Sequence, residues 1–173
     1  MSAATPAAMN ARPAVVALQA QDFHRVWPLV RSVLAGGDTY AWRPDTTEAE
    51  ARALLTTPPV RLFAAEDADG SVLGCYFLKP NQPGLGDHVA NAGYMVAPDA
   101  RGRGIASLLC AHSLDTARAA GFRAMQFNFV VATNTVAIRL WEKHGFAVVG
   151  RIPDAFRHAR LGPTDVLVMH RRL

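Results

Sequence analysis

The sequence lacks the features that mark several specialised classes of protein. Among its 173 residues, no apolar run approaches the roughly 18 residues that a membrane-spanning helix requires. Only 18% of the residues are charged and 50% are hydrophobic, which excludes a wholly disordered chain. A chain of this length is typical of one domain. We therefore predict a disordered N-terminal tail over residues 1–13 and a single domain over residues 14–173.

Cysteine is also scarce. The two cysteines, Cys75 and Cys110, match no metal-binding or redox spacing. Residues 1–13 lack the basic start and the apolar block of a secretory signal. We therefore predict reduced thiols in the core, no metal site, no association with a membrane and a cytoplasmic location.

The charge is moderately basic. Eighteen Lys and Arg residues against fourteen Asp and Glu residues give a net charge of +4, which favours an anionic partner. Nucleic acid and a phosphorylated cofactor are the two candidates. The one dense basic group, Arg101 to Gly104, is interleaved with glycine rather than with aromatic residues. That composition favours phosphate over bases, so we expect no nucleic-acid partner.

Hydrophobic patterning and turn residues predict alternating strands and helices. The predicted strands are residues 14–19, 60–66, 71–78, 89–97, 123–131, 146–151 and 164–171. The predicted helices are residues 21–35, a segment from Thr47 to just before Pro58, residues 104–120 and residues 134–144. This order indicates one mixed α/β domain.

The segment between the fourth strand and the third helix carries the clearest chemical signal. Gly102 and Gly104 allow a sharp turn and a close backbone approach to a ligand. Free N–H groups at the start of the helix would then form an anion site that suits a pyrophosphate. A tight turn with solvated arginines is the alternative. The Walker pattern is absent, and the Rossmann pattern fails at Ser107 and lacks its later acidic residue, so nucleoside-triphosphate hydrolysis and NAD are disfavoured.

Two motifs in this order resemble the GNAT N-acetyltransferase family. Arg101-x-x-Gly104-x-Ala106 matches its pyrophosphate signature and follows a strand end, Val96-Ala97-Pro98, that is similar to the family's. The second motif is Asn134 at a helix start, followed by Leu140-Trp141-Glu142-Lys143-His144-Gly145-Phe146. The resemblance implies the GNAT fold: a mixed, mostly antiparallel sheet of six to seven strands, splayed between strands four and five and flanked by about four helices. It also implies acetyl-CoA as the acetyl donor.

The resemblance assigns residues to acetyl-CoA. Backbone groups of Tyr94, Met95 and Val96 are expected to line the pantetheine and the thioester. The pyrophosphate turn is expected to comprise Arg101, Gly102, Arg103, Gly104, Ile105, Ala106 and Ser107. Asn134 resembles the asparagine that bonds the cofactor arm, with a simple helix N-cap as the alternative.

The catalytic positions depart from the family pattern. Trp141 stands where many members carry the tyrosine that protonates the CoA thiolate, and an indole N–H cannot serve as that acid. Either the thiolate leaves unprotonated, or water or another group supplies the proton, and Tyr94 is the nearest such group. The predicted strands 89–97 and 123–131 contain no carboxylate that could act as a base. Asp87-His88 could begin a water relay, or His88 could be an ordinary exposed loop residue.

Two asparagines interrupt apolar strands, and an amide is unfavourable there unless it is satisfied. Asn91 and Asn128 could be buried amides bonded to backbone, or they could face each other across the splay and hold the acceptor. A subgroup of the family, the yeast N-acetyltransferases that act on toxic proline analogues, is similar at four places: Lys79-Pro80-Asn81, Asn91-Ala92-Gly93, the strand with Phe127-Asn128, and the helix with Asn134 and Trp141-x-Lys143. The resemblance therefore implies that Asn91 and Asn128 bind the acceptor.

The sequence thus predicts an acetyl-CoA-dependent N-acetyltransferase that acts on a small-molecule amine, with an amino acid or a proline-like imino acid favoured. Protein or peptide N-acetylation and a non-catalytic acyl-CoA-binding regulator stay open as alternatives. Residues 153–164 are expected to form a loop that covers the acceptor side, shaped by Phe156, Arg157, His158 and Arg160. Homodimers are common in the family, although no seam in the sequence argues for one.

Overall fold

The computed structural model describes residues 12–173, which form seven strands and four α-helices. The strands β1 to β7 are Ala14–Leu18, Arg61–Glu66, Val72–Pro80, Val89–Val96, Ala124–Val131, Ala147–His158 and Gly162–Arg172. The helices α1 to α4 are Trp27–Gly36, Glu48–Thr56, Ile105–Ala119 and Thr135–Lys143. The predicted tail over residues 1–13 lies outside the described residues, except for its last two.

All seven strands belong to one sheet in the order β1-β2-β3-β4-β5-β7-β6. Every neighbouring pair is antiparallel except β4 and β5, which are parallel. The mixed, mostly antiparallel sheet and the four flanking α-helices confirm the predicted fold class. A parallel pair at the centre of the sheet requires a helical crossover, and α3 supplies it.

The helices cover both faces of the sheet. On one face, α1 and α2 bury a cluster that includes Phe23, Leu34 and Leu55. On the other face, α3 and α4 bury Leu109 and Trp141 against the inner side chains of the central strands. The central strands β4 and β5 therefore run between two packed layers.

Local sequence explains most helix boundaries. The Thr47 side chain caps α2 and exchanges bonds with Glu50, as the capping-box spacing predicted. Gly121 follows α3 with φ of 85°, which is the left-handed conformation that glycine adopts freely. The predicted helix over 21–35 is divided, because Ala20–Arg25 forms a 3-10 turn before α1 begins at Trp27. Pro28 lacks an N–H and fits only the first turn of a helix, so the α-helix begins beside it.

The predicted acceptor-side loop over 153–164 is wrong. Strand β6 continues to His158, and β7 begins at Gly162, so only a short hairpin turn separates them. Pro153-Asp154 is typical of turns, but here Asp154 takes φ of 51° within a bulge, and its N–H donates to Asp165 Oδ1 at 3.1 Å. An edge strand tolerates a proline and a bulge, since its outer N–H groups have no ladder partner.

Within residues 12–173, no helix combines the length and the apolar character needed to cross a bilayer.

Candidate active site

The central feature of the site is the divergence of β4 and β5. The two strands pair only through Val89–Ala124, Ala90–Met125 and Asn91–Gln126, and then separate. Just beyond this point β5 has a bulge, because its register against β7 shifts between Phe127 and Val130. The bulge turns β5 away from β4 and leaves an opening in the middle of the sheet.

A cavity of about 240 Å³ occupies this opening. It is lined by aromatic, amide and small side chains: Thr39, Tyr40, Ala41, Trp42, Phe77, Asn91, Ala92, Gly93, Tyr94, Phe127, Asn128, Phe129, Val130, Val131, Asn134, Ala137 and Trp141. No Asp, Glu, His, Lys, Arg or Cys is among these described lining residues. The cavity can therefore accept and donate hydrogen bonds, but it offers no strong base.

Backbone hydrogen-bonding groups of successive β4 residues point alternately toward β3 and toward the opening. Asn81 N–H donates to Val89 O at 2.7 Å and Ala97 N–H donates to Leu73 O at 2.9 Å, so odd-numbered residues of β4 bond to β3. The N–H and C=O groups of Tyr94 and Val96 consequently point into the opening. Those of Met95 point toward β3, while its side chain packs in the core under α1.

The Tyr94 hydroxyl lies on the α3 side of the sheet, away from the exposed strand edge. It forms a hydrogen bond with Ser113 Oγ at 2.7 Å and contacts Met125 Sδ at 3.7 Å. Burial, and then the nearby Cys110 thiol, raises the pKa of Tyr94 well above its ordinary value. Tyr94 therefore brings its backbone to the opening and keeps its hydroxyl in the core.

Four carboxamides lie at or beside the opening, and two of them, Asn91 and Asn128, line the cavity. Asn91 is 9% exposed, and its Nδ2 donates to the backbone oxygen of Gln126 at 2.9 Å. Gln126 Nε2 donates to Asn128 Oδ1 at 2.8 Å, and Asn128 Nδ2 donates to Asn81 Oδ1 at 2.6 Å. Asn91 and Asn128 thus line one cavity, and Asn91 is also bonded to backbone. The role of Gln126 was missed, although its spacing from Asn128 places both side chains on one face of β5.

Aromatic side chains form the wall on the α1 and α2 side, and sequence reasoning missed them. Tyr40 and Trp42 lie between α1 and α2, with ring centroids 5.6 Å apart. The Tyr40 hydroxyl donates to the Tyr94 backbone oxygen at 3.1 Å. A Cβ on Gly93 would lie 2.5 Å from Phe77 Cε1, so only glycine lets this ring approach β4. The sequence signal that could have identified this wall is the pair of aromatic residues, Tyr40 and Trp42, soon after Gly36-Gly37.

The β6–β7 hairpin borders the same side. Ala159 N–H donates to the Gly37 carbonyl at 2.9 Å, which fastens the hairpin turn to the segment that carries Tyr40. Phe156 contacts Phe129, a cavity residue, with ring centroids 6.1 Å apart. His158 Nδ1 accepts from Arg160 N–H at 3.1 Å within the hairpin itself. A strand hairpin, rather than a loop, therefore packs against Phe129 and Gly37 beside the cavity, and no described residue of the hairpin lines the cavity itself.

The turn before α3 has the properties of an anion site. Gly102 and Gly104 adopt φ of 77° and 78°, and a Cβ at either would meet nothing within 4 Å. Leu108 N–H makes the first helical bond, to the Gly104 carbonyl. Within residues 12–173, no protein acceptor pairs with the amides of Gly102, Gly104, Ile105, Ala106 and Ser107. These amides and the positive end of the helix dipole fit a pyrophosphate.

The arginines of this turn differ in their contacts. Arg103 pairs with Asp67 of the β2–β3 turn at 2.9 Å, and its guanidinium lowers the pKa of that carboxyl. Arg101 is exposed and has no ion-pair partner among residues 12–173. The Ser107 hydroxyl forms a hydrogen bond with His144 Nε2 at 2.8 Å, which joins α3 to the end of α4. Arg101 is therefore the arginine whose charge is free for a ligand.

Helix α4 contributes Asn134 and Trp141. Asn134 Oδ1 accepts from Ala137 N–H at 3.2 Å, so the residue is an N-cap whose Nδ2 remains available at the cavity. The Trp141 ring packs on Tyr94 and Phe127, with ring centroids 4.7 Å and 5.1 Å away. Trp141 is 8% exposed and acts as an apolar wall.

Other groups considered from the sequence lie elsewhere. Asp87 and His88 are not among the cavity residues, and the His88 carbonyl accepts from Arg123 N–H at 2.9 Å. Cys75 and Cys110 are free and buried, as predicted. Burial raises the pKa of each thiol to about 12, so neither is a nucleophile at neutral pH.

Comparisons with known proteins point to one family of acetyltransferases. The profile described as "Acetyltransferase (GNAT) family" matches residues 22–146. A crystal structure of a GCN5-related N-acetyltransferase from Kribbella flavida is 45% identical, with a TM-score of 0.88 over 94% of this chain and 98% of that one. The phosphinothricin acetyltransferase of Sinorhizobium meliloti, solved in complex with AcCoA, shares the fold at 20% identity, with a TM-score of 0.83 over 94% of this chain and 89% of that one.

A relative in Schizosaccharomyces pombe, the N-acetyltransferase aca1, is 42% identical over 103 residues, which are 59% of this chain and 49% of the yeast protein. The chain therefore matches about half the length of that relative.

Proposed function

This chain belongs to the GNAT acetyltransferase family, and from that premise we propose that it transfers acetyl from acetyl-CoA to the nitrogen of a small amino acid or imino acid. Its similarity to the Schizosaccharomyces pombe protein named as an N-acetyltransferase supports the reaction. The observation that carries the acceptor class is the uncharged, amide-lined cavity at the opening between β4 and β5.

The donor set fits acetyl-CoA. Five unpaired amides at the start of α3 suit its pyrophosphate, with Arg101 and Arg103 adjacent. The free backbone edge at Tyr94 and Val96 suits the amides of its pantetheine arm, as an added strand would. Asn134 Nδ2 is available for the same arm from the start of α4. When bound there, acetyl-CoA supplies an activated acetyl thioester.

The catalytic contribution of the protein is positioning and polarisation. The Tyr94 N–H points into the opening, where it can donate to a carbonyl oxygen that gains negative charge. Buried Asn91 and the bonded chain from Gln126 through Asn128 to Asn81 hold their amides in fixed orientations. Amides so fixed can orient an acceptor that carries a carboxylate without a change in their own charge.

The described residues that line the cavity include no group that could act as a general base. The acceptor is therefore expected to react as the free amine. Tyr40 and Tyr94 are the titratable residues among the described lining, and burial raises the pKa of both. Neither takes a proton from an ammonium at neutral pH. We infer that the small fraction of deprotonated amine is the reactive form. Its nitrogen would form the new C–N bond as the thioester C–S bond breaks, CoA would leave as the thiolate, and the proton left on nitrogen would pass to solvent.

The test is CoA-thiol release from acetyl-CoA in the presence of a panel of amines. The panel contains proline, its four-membered ring homologue, open-chain amino acids, a polyamine, an aminoglycoside and a short peptide. Turnover confined to imino or amino acids supports the proposal, and Asn128→Ala should then abolish it while acetyl-CoA remains bound. Turnover of the polyamine or aminoglycoside alone would contradict the acceptor class.

Two alternatives predict different results. A protein or peptide N-acetyltransferase would acetylate the short peptide and none of the free amino or imino acids. A non-catalytic regulator would bind acetyl-CoA and release no thiol with any amine. The homodimer stays a prediction, which light scattering would test.

A further inference from the structure

We propose that Tyr40 is a substrate-binding residue whose hydroxyl oxygen accepts the N–H of the acceptor amine. This inference rests on the proposed function and deepens it. Tyr40 lies in the connection between α1 and α2 and lines the cavity on the side opposite α3 and α4.

The direction of one hydrogen bond leaves the hydroxyl oxygen open. A tyrosine hydroxyl has one proton to donate and lone pairs that accept. The proton of Tyr40 is directed to the Tyr94 carbonyl at 3.1 Å. Among the described residues, no donor is bonded to Tyr40 Oη, so the lone pairs are available on the cavity side.

The hydroxyl also lies against the step of β4 where transfer is expected. Tyr40 Oη is 2.9 Å from the position that a Cβ on Gly93 would occupy. Tyr94, the next residue, directs its own N–H into the opening beyond the last paired step of β4 and β5. An acceptor nitrogen at Tyr40 would therefore lie beside the strand edge that is proposed to hold the thioester.

The surroundings of Tyr40 keep its hydroxyl protonated. Burial is the main cause that raises the pKa of Tyr40 far above its ordinary value, with a smaller contribution from Cys75. The Tyr40 hydroxyl therefore stays protonated at neutral pH and continues to donate its hydrogen bond to the Tyr94 carbonyl. Tyr40 Oη then offers only acceptor lone pairs to the ligand.

This geometry favours a neutral secondary amine. Such an amine has one N–H and one lone pair, so the bond to Tyr40 Oη uses the N–H and leaves the lone pair for attack. Trp42 and Phe77, on the same wall, provide apolar surface for the carbons of a small ring. Tyr40 thereby sets both the position and the orientation of the nitrogen.

The chain offers a matched set of substitutions, because its three tyrosines each have a bonded hydroxyl. Tyr76 pairs with His112 Nδ1 at 2.8 Å and is not among the cavity residues. Tyr40→Phe and Tyr76→Phe therefore remove the same bonded hydroxyl oxygen, the first from the connection between α1 and α2 and the second from β3. Only the first change affects the proposed acceptor site.

We expect Tyr40→Phe to raise the KM for the best imino acid about tenfold and to lower kcat, as loss of one hydrogen bond to the reacting group would. The Kd for acetyl-CoA, measured by calorimetry, should change less than about twofold. Tyr76→Phe should leave both quantities unchanged. A second readout, which requires no turnover, is the change in tryptophan fluorescence when the imino acid is titrated into the enzyme with CoA, since two of the three tryptophans, Trp42 and Trp141, line the cavity.

The outcomes separate this inference from the proposed function. If wild-type enzyme is active and Tyr40→Phe has the same acceptor KM, kcat and fluorescence titration as wild type, Tyr40 does not bind the amine. If Tyr40→Phe weakens acetyl-CoA and leaves the acceptor KM unchanged, its role is only to support β4. If wild-type enzyme acts on no member of the panel, the proposed function fails and this inference fails with it.

Discussion

The Asn91 side-chain amide donates to the Gln126 backbone oxygen at 2.9 Å, across the last step at which β4 and β5 are paired. This bond closes the end of the parallel ladder and fixes where the strands begin to diverge. One residue therefore links the architecture of the sheet to the cavity, because Asn91 Oδ1 remains available to a ligand.

Replacement of Asn91 tests that double role. We expect Asn91→Ala to lower kcat/KM about 100-fold through loss of acceptor positioning and to cost about 1–3 kcal/mol of unfolding free energy from the unpaired Gln126 oxygen. The Kd for acetyl-CoA should stay within about threefold, since the anion site is separate.

Urea unfolding and steady-state kinetics measure both effects. Tyr76→Phe is the control, because it removes a buried hydroxyl bonded to His112 Nδ1 at 2.8 Å from a residue outside the cavity lining. It should lose comparable stability and retain activity. Equal activity loss in the two variants would show that general destabilisation, rather than Asn91 itself, is responsible.

The pyrophosphate turn can be tested with two glycines that share a conformation. Gly104 and Gly121 have φ of 78° and 85°, and a Cβ at either meets nothing within 4 Å. Alanine at each should cost about 1–2 kcal/mol, the penalty for a left-handed L-residue. Only Gly104→Ala should raise the Kd for acetyl-CoA, by about tenfold or about 1.4 kcal/mol, because its Cβ and altered amides would face the phosphates.

Thermal denaturation and calorimetric titration of acetyl-CoA compare the two glycine variants. Unchanged acetyl-CoA affinity in Gly104→Ala would remove this turn from the cofactor site.

The pH dependence of the reaction should follow the acceptor rather than the enzyme. With no carboxylate, imidazole or ammonium among the described cavity residues, log kcat/KM should rise with a slope of about one up to the pKa of the acceptor amine. Rate profiles for two acceptors whose amine pKa values differ should be displaced by that difference. If log kcat/KM for both acceptors instead levelled off at the same pH near neutrality, that shared pKa would belong to a base on the enzyme.

His144 should make the protein less stable in mild acid. Burial, followed by the nearby Arg171 and Lys143, lowers the pKa of His144 below its ordinary value of 6.5. Below that pH the unfolded chain binds a proton more readily than the folded chain, so the free energy of unfolding falls until the pH passes the folded pKa.

Urea unfolding at about pH 7.5 and about pH 5.5 measures this effect. His144→Gln should lose less stability between the two conditions than wild type does. An identical loss in both proteins would assign the acid sensitivity to other groups.

Much of the fold followed from local sequence. The Thr47–Glu50 capping box fixed the start of α2, and Gly121 fixed the end of α3. The turn at Gly102 and Gly104 followed from glycine's conformational freedom. These signals act over a few residues, so they are readable without knowledge of the tertiary structure.

Other features depended on neighbours distant in sequence. Pro153-Asp154 has the composition of a turn, yet pairing with β7 retains it within β6 as a bulge. Tyr94 has the right position for a catalytic hydroxyl, but packing against Ser113 holds that hydroxyl in the core. In both cases a long-range contact outweighs the local preference.

The sequence by itself determined the glycine turn before α3, the family and the positions of the two asparagines, because each depends on residue type at short spacing. The tertiary structure alone decided that Asn81 bonds to Asn128 and that Tyr40 reaches the Tyr94 carbonyl. Those contacts join segments 47 and 54 residues apart. Such distances are set by how the sheet packs against its helices, which no local pattern encodes.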